Sequence, residues 1–151
     1  VEWRVDRWPL FFSPTGIVAV EDKLVLSADF RVARFWLQEA KGMAHLEGEQ
    51  SFSGREIGDI AAVPATSSAG TKNSTLVLSG RNELLRFRAG PGAGFPWLQE
   101  LGPSLAGAIV GAAKEEQEVA QGLAYWAARD LFFMSRPRLG VVAVRLLQDA
   151  P

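Results

Sequence analysis

Short apolar runs separated by polar turns organise this chain, and they recur as three copies of one pattern. The first copy runs Gly16–Val20, then Lys23–Ser27, then Val32–Leu37. The second runs Gly58–Val63, Thr75–Ser79 and Leu84–Arg88, and the third Gly122–Trp126, Leu131–Ser135 and Val141–Leu146. Runs of this length, rich in β-branched and aromatic residues and divided by Asp, Gly, Asn or Pro, predict β-strands. In each copy the second run ends in a serine: Ser27, Ser79 and Ser135. Ser27 precedes Phe35, and Ser79 precedes Phe87, by the same eight residues, so Leu26/Leu78 and Phe35/Phe87 become equivalent pairs expected to be buried. Along the third run, Val32, Arg34 and Trp36 point one way while Ala33, Phe35 and Leu37 point the other.

The segments between the runs also find places. Ala44–Phe52 predicts an outer fourth strand of the first unit, polar enough through Glu47, Glu49 and Gln50 to face water. Phe95–Leu101 has the same part in the second unit. The third ends before any fourth strand. Pro64–Ser74, rich in Ser, Thr, Ala, Gly and Asn, predicts a mobile loop. A short helix capped by Ser104 is expected between 104 and 120, although Gly107 and Gly111 weaken it. The expectation is an all-β, β-propeller-like repeat of about three four-stranded blades in an incomplete ring. It forms one repeat domain over 1–151, with units at approximately 14–52, 57–101 and 119–151 and an N-terminal strand segment at 1–13. A β-trefoil, which also has three repeats of four strands in about this length, is the alternative fold.

The first unit, from Pro14-Thr15-Gly16-Ile17-Val18-Ala19-Val20 through Leu24-Val25-Leu26-Ser27-Ala28-Asp29 to Arg31-Val32-Ala33-Arg34-Phe35, resembles the NHL-type propeller blade. Gly122-Leu123-Ala124-Tyr125-Trp126 is similar to the related YWTD-type blade. The resemblance implies four-stranded blades around a central channel, usually six per ring, and mostly binding functions. Some relatives, namely lactonases, lyases and strictosidine-synthase-like proteins, are enzymes with metals in the channel. Their Glu, Asn and Asp sets have no match here, and three blades are too few to close a ring.

Composition narrows the function classes. Lys and Arg total 16 against 17 Asp and Glu, so the net charge of −1 offers no field to attract nucleic acid. Cysteine is absent, which removes disulfides and thiolate metal sites. No apolar run approaches a transmembrane helix, leaving attachment at the periphery of a membrane complex as the membrane role compatible with the sequence. The chain opens at Val1, as expected of a processed form or a piece of something longer.

Candidate chemistry is sparse. His45 is the single histidine, with no second ligand at a useful spacing, and reads as a partly exposed strand residue. The recurring serines read as structural hydroxyls bonding turn backbone. Asp22, Asp29, Asp59 and Asp130 sit at turns or strand starts, where Asp commonly shapes the backbone. The Gly-rich stretch 89–94 lacks the Lys-Ser/Thr of a phosphate loop and reads as a connector. No catalytic residue, cofactor or metal is expected. Trp3, Trp8, Phe11 and Phe12 crowd the N-terminus, Phe95 and Trp97 flank Pro96, and these six aromatics are the candidate interface residues. The arginines at 31, 34, 86, 88, 136 and 138 would line one side if the repeats stack in register.

The expected function is a non-catalytic protein-interaction or structural accessory subunit of a larger assembly, with protein partners or self-association. Two alternatives follow from the folds above: a fragment of a ligand-binding or hydrolase-type β-propeller, and a β-trefoil lectin-like binder.

Overall fold

In the computed structural model the described residues are 13–52, 54–64, 74–80, 84–90, 97–101, 121–136 and 140–144. They form three antiparallel sheets, none of them closed. The first joins β1 (Gly16–Val20), β2 (Lys23–Ala28), β3 (Arg31–Gln38) and β4 (Met43–Ser51) in that order. The second joins β5 (Ile60–Val63), β6 (Ser74–Ser79), β7 (Leu84–Ala89) and β8 (Leu98–Glu100). The third contains β9 (Gly122–Trp126), β10 (Leu131–Arg136) and β11 (Gly140–Val144). A 3₁₀ turn at Glu39–Lys41, ended by Gly42 at φ 59°, links β3 to β4.

The repeat seen in the sequence is therefore a repeat of up-and-down sheets. Each begins with the same hydrogen bond, in which the N–H of Thr15, Gly58 or Gln121 donates to the carbonyl of Ser27, Ser79 or Ser135. This bond sets the alignment of the copies. Gly16 and Gly122 stand opposite Ser27 and Ser135, and Asp59 takes that place opposite Ser79, so the second unit opens one residue later than its glycine indicated. Leu26 and Leu78 then fall on one position and Phe35 and Phe87 on another, and all four are buried.

Every sheet has two faces that alternate along its strands, and the sheets stack through them. On the front of the first sheet Val25 and Val32 pack with Ile60, Leu78 and Leu85 on the back of the second. On the front of the second sheet Ala61, Val77 and Leu84 pack with Leu123, Phe132 and Met134 on the back of the third. Leu26, Ala33 and Phe35 form a separate buried cluster on the back of the first sheet. Val32 and Phe35 thus face opposite ways, as the alternation required. The sheets approach most closely along their first strands, with β5 lying between β1 and β9.

The third sheet has three strands among the described residues. Two expectations need correction. The outer strand β4 does not simply face water. Arg34 pairs with Gly48 and Phe35 with Leu46, so Glu47 is the extra residue of a β-bulge. A bulge re-aims its side chain, and here Glu47 turns to meet Lys23 and Arg34. The second unit's fourth strand is also shorter than predicted, covering Leu98–Glu100. The expected helix at 104–120 and most of the loop 64–74 lie outside the described residues.

Candidate interface

Of the six candidate aromatics, Trp3, Trp8, Phe11, Phe12 and Phe95 lie outside the described residues. Trp97 is described, and it is buried rather than offered to a partner. Its ring lies against Gly48, where an added Cβ would come within 2.8 Å of the indole. The Arg34 guanidinium sits over the same ring, 4.8 Å from its centroid, and donates to the Gly90 carbonyl at 2.7 Å. Glu47 completes the seam, accepting from Lys23 Nζ at 2.6 Å and facing Arg34 Nε at 3.5 Å. Removing Arg34 from water requires such partners, since an unpaired buried guanidinium would cost several kcal/mol. These residues fasten the outer parts of the first two sheets together. Arg34 and Arg136 are buried, so they do not form a solvated arginine face.

Besides Phe30, Trp36, Met43 and Leu46 of the first unit, exposed apolar side chains stand at the two ends of the stack. Val32, Leu84 and Val141 occupy one register position on the fronts of the three sheets, opposite Ser27, Ser79 and Ser135. Val32 and Leu84 are 0% and 1% exposed, whereas Val141 is 71% exposed. Around Val141 the same front carries Ala124 and Ala143, both exposed, with Phe133 half-buried and Trp126 47% exposed. The back of β1 is open in the same way. Ile17 is 59% exposed, although its equivalents Ile60 and Leu123 are 2% and 8% exposed. The runs Leu131–Met134 and Val141–Val144 are apolar at every position, which does not single out these residues. Register was the missing information, because only the pairing says which face a neighbouring sheet covers.

The polar candidates resolve into structural parts. Ser79 Oγ accepts the Asp59 N–H at 2.8 Å, bonding the start of the neighbouring strand rather than a turn. His45 is half-buried on β4, stacked on Trp36 at 4.3 Å, with Nε2 at 2.9 Å from Gln38 Oε1. Asp130, in the left-handed region at φ 51°, accepts from the Tyr125 hydroxyl at 2.8 Å. That hydrogen bond, with desolvation and the Asp130 charge, raises the Tyr125 pKa above its ordinary value.

A cleft of about 440 Å³ opens beside the β1–β2 turn, lined by Glu21, Asp22, Lys23, Trp36, Leu37 and Glu39 among others. Its one cation, Lys23, is committed to Glu47. Among the described residues no three His, Asp or Glu side chains are grouped to hold a metal ion. No helix among them is long and apolar enough to cross a membrane. No protein-family model and no curated protein matches the chain.

Proposed function

We propose that this chain is a non-catalytic interaction or structural subunit, an arc of three propeller-type sheets whose last face is covered by protein in the working assembly. The observation that carries the reading is the front of the third sheet. Val141 is 71% exposed at a position that the next sheet buries completely in each of the other two units. An apolar face of this kind loses free energy to water at roughly 25 cal/mol per Å², so covering it is favourable. Contiguous exposed apolar surface usually marks an interaction site. Stacking of up-and-down sheets through both faces, closest along their first strands, supports the propeller-type reading. The polar groups support a binding role over a catalytic one, because Ser79, Asp59 and Asp130 are spent on backbone and turn contacts.

Photo-crosslinking in the natural source tests the proposal. A photoreactive residue replacing Val141 is expected to give a protein adduct, while one replacing the exposed Lys41 is not. Absence of any protein adduct at 141, with the chain folded, would overturn the reading.

A further inference from the structure

We propose that the two ends of the arc are complementary, so that the open front of the third sheet receives the open back of β1 from a second copy of this chain. The inference rests on the interaction-subunit reading and names the partner. Two junctions inside the chain show what such a front accepts. Val25 and Val32 receive Ile60, and Ala61 and Leu84 receive Leu123. In each case an aliphatic front, Val25 and Val32 or Ala61 and Leu84, meets a large aliphatic side chain from the first strand of the following sheet. Val141 and Ala124 present the next front in this series, and Ile17 is the residue of matching kind and position that no sheet among the described residues covers.

The back of the first sheet also limits the contact. Leu26, Ala33 and Phe35 there are already buried, whereas Ile17 and Ala19 on β1 are exposed. The second copy therefore meets the first strand, which is where β1, β5 and β9 approach one another within the chain. Charge favours the arrangement. If the sheets keep their order, the turn after β9 faces the turn after β1 of the other copy. Arg129, held over the Trp126 ring at 5.1 Å, then meets the exposed Glu21 and Asp22. With a net charge of −1, two copies repel only weakly.

A three-strand face covers roughly 240 Å², from strand spacings of about 4.8 Å and rises of about 3.3 Å. One such junction is well below the ~800 Å² per partner of a standard interface. A head-to-tail pair contains two, and a reversible dimer in the micromolar range is the expectation.

Sedimentation of the purified chain over a range of concentrations tests this. The native chain should dimerise reversibly, and Ile17→Asp and Val141→Asp should each weaken association by on the order of tenfold or more. Both sites are exposed in the single chain, so the thermal midpoint of the monomer should stay unchanged in either variant. Mixing the two variants should restore part of the association, since one of the two junctions then has both native faces. Two results would overturn the inference: a native chain that stays monomeric at roughly 100 μM, or an Ile17→Asp variant that dimerises like the native chain. The second result would mean that third sheets meet each other. A monomer whose position 141 still crosslinks to a different protein overturns the second-copy partner and leaves the interaction-subunit reading in place. A monomer with no adduct overturns both.

Discussion

The Asp59 carboxylate reaches from the second sheet to the third, where Oδ2 accepts the Leu123 N–H at 2.7 Å. Its other oxygen accepts the N–H of Ile60 at 2.7 Å, closing the start of its own strand. The same oxygen lies against Gly16 on the first sheet. One side chain thus touches the opening residues of all three sheets, which are also where the sheets come closest. Asp59 occupies the position held by Gly16 and Gly122 in the other units, so a single carboxylate fills a space that three side chains could not share.

Replacing Asp59 should loosen the whole stack. Asp59→Ala leaves two backbone N–H groups without their acceptor, and hydrogen bonds to a charged group contribute about 1.5–3 kcal/mol each at most in such a setting. A loss of about 2–4 kcal/mol in unfolding free energy is expected, read from urea denaturation. Asp59→Asn keeps an oxygen for one of the two donors and should lose less. Equal stability of Asp59→Ala and the native chain would show that the carboxylate does not join the sheets.

Gly16 and Gly122 share a register position but should differ sharply in tolerance. A Cβ at Gly16 would collide with Asp59 Oδ1 and lie 2.6 Å from Ser27 Oγ and 3.0 Å from the backbone nitrogen of Ile60. Backbone cannot give way without separating the first two sheets. Among the described residues a Cβ at Gly122 meets only Ser135, at 2.8 Å from its Oγ and 3.6 Å from its Cβ, and that hydroxyl can rotate. Gly16→Ala is expected to cost at least about 1–3 kcal/mol, as overpacking does, and Gly122→Ala well under that. Thermal midpoints of the two variants, measured side by side, decide it. The reverse order would mean that the first and second sheets are not held at this distance.

Much of this arrangement was legible in the sequence, and particular residues show where legibility stopped. The matched offset from Ser27 to Phe35 and from Ser79 to Phe87 gave the correct equivalence, because strand length and turn length are local properties. Alternation placed Val32 and Phe35 on opposite faces for the same reason. Gly58 misled by one residue, since glycine marks the position in the first and third units while Asp59 holds it in the second. Trp97 looked like an interface anchor and is buried, because the room for its ring comes from Gly48, a residue 49 positions away that no local pattern connects to it. Glu47 looked like a water-facing strand residue until the bulge turned it toward Lys23 and Arg34. Exposure of Ile17 and Val141 was equally hidden. Each belongs to a run as apolar as its buried equivalents, and only the end of the stack distinguishes it.

Tyr125 offers a spectroscopic check on the third sheet, because it is the chain's single tyrosine. It lies next to Trp126 of the open front but points to the back, with its ring 4.8 Å from that of Phe132. Its hydroxyl donates to Asp130 across the β9–β10 turn, and that hydrogen bond is the largest cause of its raised pKa, ahead of burial and the Asp130 charge. A phenol that holds its proton more tightly when folded stabilises the fold at pH values below its unfolded pKa of about 10. The contribution is lost as pH rises from there through the higher folded value. Titration followed by the ultraviolet band of tyrosinate should therefore give a higher midpoint for the native chain than for the chain in urea. Asp130→Asn removes the charge while keeping an acceptor, and asparagine tolerates the left-handed backbone at this position. That variant should move the native midpoint back toward the unfolded one. Coincident native and unfolded midpoints, or a midpoint unmoved by Asp130→Asn, would show that the Tyr125–Asp130 contact does not hold the hairpin in solution.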